Sequence, residues 1–146
     1  MNNFSKSAMI ALLPVSSDWC KIELPHLTLV YAGEIDKLGR LEFNELGKAA
    51  SMLALLGRPL ALNVIGTEVF GDEDKVDVIR FRTSLELLAM RKIVEKWNAS
   101  QYPFRPHSTI GPAGSAATVD IPRQIYFNKV YVGWGDESLT FSLTHS

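Results

Sequence analysis

A chain of 146 residues, 47% hydrophobic and 21% charged, has the size and balance of one globular domain able to bury a core without disulfides or a structural metal. Fifteen Lys and Arg against sixteen Asp and Glu leave a net charge of −1, which gives no general basic field for gripping a long nucleic-acid duplex. The single cysteine, Cys20, excludes an internal disulfide and, beside only three histidines, cannot assemble a zinc site.

In chain order, Ser7–Leu13 is a short apolar run closed by Pro14 and reads as a buried strand. The N-terminal apolar stretch is too short for a secretory signal, and no run reaches the roughly 20 residues that span a bilayer. A cytoplasmic protein without a membrane partner is expected, monomeric by default. Residues 14–25 form a loop, and His26–Ala32 is a β-rich run between Pro25 and Gly33. One helix is expected from about Asp36 to Leu56, with Leu46, Ala49, Ala50, Leu53 and Leu56 on one face and Gly57 and Pro59 as its stop.

Leu60–Phe70 and Val76–Arg82 read as two strands joined by the polar turn Gly71-Asp72-Glu73-Asp74. Thr83 or Ser84 can cap a second helix whose buried stripe is Leu87, Met90, Val94 and Trp97. Arg105–Gly111 is a further short strand, and Ile125–Trp134 with Ser138–Leu143 forms a hairpin turning at Gly135-Asp136. Each half of this order holds a strand bearing one short motif and one long helix. The expected fold is therefore α+β, a single domain over residues 1–146 built of two similar lobes of antiparallel strands plus a helix.

The motifs are Pro25-His26-Leu27-Thr28-Leu29 and Pro106-His107-Ser108-Thr109-Ile110, both P-H-x-T-aliphatic. Side chains alternate along a strand, so each motif presents one imidazole and one hydroxyl on the same face, with an apolar anchor behind. If approximate two-fold symmetry relates the halves, the two polar faces meet in one cleft. Phosphodiester cleavage needs such a pair, one group to take a proton from the attacking oxygen and one to give a proton to the leaving oxygen. Imidazole serves either role near neutral pH. Threonine hydroxyls can donate to the nonbridging oxygens, and no metal is required. His145 lacks the motif and is expected to be solvated.

HLTLVYAG and HSTIGP resemble the paired H-x-T/S-hydrophobic signatures of the 2H phosphoesterase superfamily, which includes the 2′-5′ RNA ligase-like proteins, the cyclic phosphodiesterases and small phage-encoded members. The resemblance implies a bilobal fold around a central cleft and metal-independent chemistry at phosphodiesters involving a 2′ oxygen, with no cofactor. It implies His26 and His107 as acid and base, and Thr28 and Thr109 as phosphate ligands. Several RNA-processing relatives follow the second motif with a basic residue, whereas here Ile110 precedes Gly111 and Pro112. With the net charge, this favours a small nucleotide or a short or cyclic oligonucleotide over RNA ends, as in phage members that degrade the cyclic messengers of bacterial immunity. A nucleotide-sequestering protein and a 2′-5′ RNA ligase are the alternatives on the same fold.

Weaker candidates surround the motifs. Arg80 and Arg82 alternate with Ile79 and Phe81 and can face a phosphate; Arg105 adjoins the second motif. Tyr31, Tyr102 and Phe104 are candidates for stacking on a base, and Trp19 for a wall of the cleft.

Overall fold

A computed structural model of the chain describes residues 6–144; His145 lies outside them. Among the described residues, seven antiparallel strands and two α-helices appear in the order β1 (Ser7–Pro14), β2 (Leu27–Glu34), α1 (Arg40–Leu56), β3 (Leu60–Phe70), β4 (Val76–Phe81), α2 (Leu85–Val94), β5 (His107–Pro112), β6 (Gln124–Trp134) and β7 (Glu137–Ser142). This is the α+β, antiparallel architecture expected from the sequence. The strand order across the sheet is β2-β1-β6-β3-β4-β5, with β7 beside β6.

Most elements follow from local chemistry. Ser84 caps α2, its hydroxyl accepting from the Leu87 amide at 3.1 Å, and Leu87, Met90 and Val94 are buried as their spacing requires. A 3₁₀ turn, Glu95–Trp97, continues that helix to the predicted Trp97, which is half-buried. Between β6 and β7 the two-residue loop has Gly135 at φ +62, and no non-glycine residue among those described has a positive φ. That is a type II′ pattern, which matches the strand twist.

One element departs from expectation. The helix foreseen from Asp36 is split into a 3₁₀ turn at Ile35–Lys37 and α1 from Arg40. Leu38 and Gly39 are extended between them, and the Glu42 carboxylate accepts the Gly39 amide at 3.1 Å. A glycine with a carboxylate three residues on supplies a helix start that the apolar periodicity did not register.

The sheet is bent. Over Leu60–Asn63, β3 pairs with β6; over Val64–Phe70 it pairs with β4, with a register shift at Val64/Gly66. Further shifts occur in the β1–β2, β1–β6 and β4–β5 pairings. Each adds an unpaired residue and increases the local twist. As a result the two outermost strands, β2 and β5, come together, and the Ser108 hydroxyl donates to the His26 carbonyl at 2.7 Å. Both helices pack on one side: α1 lies over β6, β7 and β1, and α2 lies against α1 and β2. Ile10, Leu12, Leu27, Leu29, Leu46, Leu53, Ile79, Phe81, Leu87, Ile110 and Phe127 form the shared core.

The outer edges of β2 and β5 are covered as well. The Tyr31 carbonyl accepts from the Ala99 amide at 2.8 Å, and the Leu29 carbonyl accepts from Arg91 Nε at 3.0 Å. On the other side the Ile110 carbonyl accepts from the Lys21 amide at 2.7 Å. Edge groups left bare would invite pairing with another chain.

Ser108 is 1% exposed and makes the polar link between the two motif strands. Replacing it, Ser108→Ala, is expected to cost about 1 kcal/mol and to lower Tm by about 3 °C, the usual size of one buried hydrogen bond in a chain of this length. Thermal denaturation followed by circular dichroism checks this; an unchanged Tm would show that the link contributes nothing to closure.

Candidate active site

The two motifs occupy equivalent positions on the outermost strands. Leu27 pairs with Leu12 and Thr28 with Ala11, after which Leu29 is an extra, unpaired residue before Val30 meets Ile10. On β5, His107 pairs with Arg80, Ser108 with Ile79 and Thr109 with Val78, and Ile110 is the extra residue before Gly111 meets Asp77. Both strands thus bulge at the aliphatic residue that follows the threonine. The carbonyls of these two bulge residues are the ones held by Arg91 and Lys21. A bulge re-aims the side chains beside it, and these are pinned from outside the sheet.

The predicted alternation is present. Thr28 and Thr109 are half-buried on the open face, whereas Leu27, Leu29, Ser108 and Ile110 are buried behind it. Thr28 faces Met9, whose sulfur lies 3.9 Å from its hydroxyl. His26 and His107 are also half-buried.

The two imidazoles share one anchoring pattern. His26 Nδ1 lies 2.9 Å from the Leu24 carbonyl, and His107 Nδ1 lies 2.6 Å from the Arg105 carbonyl, two residues back in each case. A carbonyl can only accept, so Nδ1 carries the proton in both rings, and the lone pair of each neutral ring sits on Nε2. Burial lowers the pKa of His26 from its ordinary 6.5 more than the Leu24 bond raises it. Burial also lowers that of His107, opposed by the Arg105 carbonyl and assisted by the charges of Arg80, His26 and Arg105. Two neutral imidazoles are therefore the resting state at neutral pH, and only His107 has arginines lowering it.

A cleft of about 620 Å³ opens beside His26. His26 and Thr109 line it with Met9, Leu24, Val76 and Tyr131 among others. His107 is not among the lining residues; its ring stands edge-on to Phe70 at 4.7 Å. On the same face, Glu68 accepts from Arg80 at 3.0 Å and from Arg105 at 2.7 Å, and the Arg105 guanidinium lies 4.9 Å from the Phe70 ring. Among the described residues, no three His, Cys, Asp or Glu side chains converge to hold a metal ion.

The weaker candidates differ in their surroundings. Arg80 faces His107 across β4 and β5, and Arg105 joins it through Glu68. Arg82 falls beyond the end of β4 and is exposed, its amide bonded to the Asn63 carbonyl. Tyr31 pairs with Met9 and shares the open face. Tyr102 is 83% exposed, and Phe104 packs on the core under the Arg91 guanidinium. Trp19 is a correction: it is buried, its indole N–H donates to the Ser16 carbonyl at 2.9 Å, and it lines a separate cavity with Pro59, Ile125 and Phe127. An apolar residue in a loop was drawn into the core instead of the cleft wall.

Sequence reasoning passed over Met9, Lys21, Glu68, Phe70 and Tyr131. Period-2 alternation was visible in β3, which would have put Glu68 and Phe70 on one face, but no local signal says which face looks onto His107.

No protein-family model and no curated protein sequence matches the chain. Solved structures do. The chain is similar to TT0787 of Thermus thermophilus at a TM-score of 0.61 and 16% identity, covering 94% of this chain and 95% of that one. It is similar to Kluyveromyces marxianus Usb1 with uridine monophosphate at 0.65 and 13%, covering 96% and 100%. It is also similar to E. coli LigT complexed with 3′-AMP at 0.53 and 15%, covering 95% of each. Likeness at this identity establishes the fold, which is that of the 2H phosphoesterases.

Depressed histidine pKa values have a consequence for stability. On unfolding, each ring regains its ordinary value of 6.5, so between that pH and the lower folded value the unfolded chain binds more protons. Stability should fall as pH drops from 6.5 to the folded values and level off below them. Urea unfolding at pH 7 and pH 5 should show a smaller loss in His26→Asn/His107→Asn than in the parent chain; an equal loss in both proteins would refute the depressed values.

Proposed function

We propose that the chain acts as one bilobal unit, a metal-independent phosphodiesterase that cleaves a phosphodiester in a small or cyclic nucleotide. Its substrates would carry a 2′,3′-cyclic phosphate, a 2′-5′ linkage or a cyclic oligonucleotide bond. The observation that carries this reading is the matched pair of imidazoles. Each is held at Nδ1 by a carbonyl two residues back, with its lone pair on Nε2 and a threonine two residues on. The two motif strands are joined at Ser108 and His26, and the cleft beside them is lined by His26 from one motif and Thr109 from the other, which supports a shared site.

In this reading one Nε2 takes the proton of the attacking water or hydroxyl as its oxygen bonds to phosphorus. The other ring, protonated, gives its Nε2 proton to the oxygen that leaves. Thr28 and Thr109 donate to the nonbridging oxygens, whose charge grows in the transition state. Arg80 and Arg105 lie near His107, which disfavours its imidazolium and suits it to the base role, with His26 as the acid. A bound phosphate anion supplies the negative charge that makes protonation of His26 favourable despite its burial.

The reaction needs one neutral and one protonated ring. Because both pKa values lie below 6.5 in the free protein, kcat/KM should trace a bell whose maximum falls below pH 6.5. Activity on 2′,3′-cyclic mononucleotides, 2′-5′ dinucleotides or cyclic di- and trinucleotides is expected to persist in EDTA. His26→Ala or His107→Ala should each lower it at least about 10²-fold. Mass-resolved products from such a panel decide the matter. Activity that needs a divalent metal, or alanine variants near the parent rate, would remove the mechanism. Tight binding of an unchanged nucleotide would instead identify a sequestering protein.

A further inference from the structure

Beside His107 the structure holds an anion of its own. The Glu68 carboxylate on β3 lies between two guanidinium groups, 3.0 Å from Arg80 and 2.7 Å from Arg105. Arg80 is the cross-strand partner of His107, and Arg105 precedes it by two residues, so this arrangement abuts the proposed reaction centre. Phe70 forms its floor, with Arg105 on its ring face and His107 against its edge.

Charge is not balanced there. Two guanidiniums face one carboxylate, leaving one positive charge in excess. Arg80 Nε is buried and, among the described residues, finds no hydrogen-bond acceptor. A buried donor without an acceptor is costly and therefore uncommon. The carboxylate is held weakly by comparison, because Glu68 and Arg105 are 41% and 48% exposed and ion pairs of that exposure contribute little. A group with three acceptor oxygens and up to two negative charges would use these donors better than one carboxylate does.

We propose that Arg80 and Arg105 form a second anion subsite that binds a phosphate other than the one undergoing cleavage. Glu68 is its resident occupant in the free protein and swings aside when that phosphate arrives. Resting on the phosphodiesterase reading above, this narrows the substrate class to nucleotides that carry a terminal phosphate monoester besides the diester being cleaved, such as 5′-phosphorylated 2′-5′ dinucleotides, over cyclic mononucleotides. Glu68 then acts as a filter, since a ligand with a single phosphate has nothing to offer in exchange for the carboxylate.

Calorimetry with adenosine 3′-monophosphate and adenosine 3′,5′-bisphosphate isolates the contribution of one added phosphate without requiring turnover. The parent protein should bind the bisphosphate at least about tenfold more tightly, the scale of charge-assisted hydrogen bonds. Arg105→Ala should remove most of that ratio, and Glu68→Gln, nearly isosteric, should raise it. Arg58→Ala, which removes a cation at the end of α1 away from the cleft, should leave the ratio as it is. Equal affinity for the two ligands in the parent overturns the proposal. So does a ratio that Arg105→Ala leaves intact, or one that Arg58→Ala lowers as much. Failure of either ligand to bind any of these proteins would overturn the subsite together with the nucleotide reading, whereas monophosphate binding without a bisphosphate advantage would overturn the subsite alone.

Discussion

Everything at the cleft depends on the meeting of the two outermost strands. In a flat sheet, five strand spacings would hold β2 and β5 roughly 24 Å apart. Here they touch, because register shifts add twist at four pairings and β3 changes partners halfway along its length. The driving force is apolar. Leu27, Leu29, Ile79, Phe81 and Ile110 are buried from both ends of the sheet into one core, each worth roughly 1.5–3 kcal/mol. Against that sum the Ser108 bond to the His26 carbonyl is small, but it is directional. Burial closes the sheet, and the hydrogen bond fixes the alignment of the two motif strands.

The bulges carry that alignment into side-chain direction. Leu29 and Ile110 occupy the same place in their motifs, immediately after the threonine, and each has its carbonyl held from outside the sheet. Arg91 shows how much rests on such a contact. Its Nε holds the β2 bulge, its guanidinium lies over Phe104, and it pairs with Glu95 at 3.5 Å. A helix, a strand and the approach to the second motif are thereby tied to a side chain far in sequence from Thr28.

Closure also sets the electrostatics. The burial that brings the strands together removes water from the imidazoles and disfavours their charged forms. Near-equivalent anchoring makes the two rings chemically alike, and the neighbours then distinguish them. Arg80, Arg105 and Glu68 all sit on the His107 side, so the pseudo-symmetry of the motifs does not extend to their charge environment. That asymmetry sets charges against the His107 imidazolium that His26 does not meet.

Local signals determined a great deal. The turn and proline punctuation located all seven described strands to within about two residues, and alternation within each P-H-x-T run put imidazole and hydroxyl on one face. Where local chemistry competed, periodicity misled: Gly39 and Glu42 start a helix that the apolar pattern alone extends back to Asp36. Contacts between distant segments were not legible. Trp19 was drawn into the core because an indole in a loop packs wherever apolar surface is offered, and Arg82 was separated from Arg80 by the end of β4. Tyr131, Met9, Phe70 and Glu68 reach the site only because the sheet bends, and bending is a property of the assembled strands. Sequence by itself therefore determined where each motif imidazole and hydroxyl sits along its strand, since alternation and motif spacing are encoded within a few residues. Only the tertiary structure decided which charges and rings surround them, because those neighbours are brought in by long-range burial that no short stretch of chain encodes.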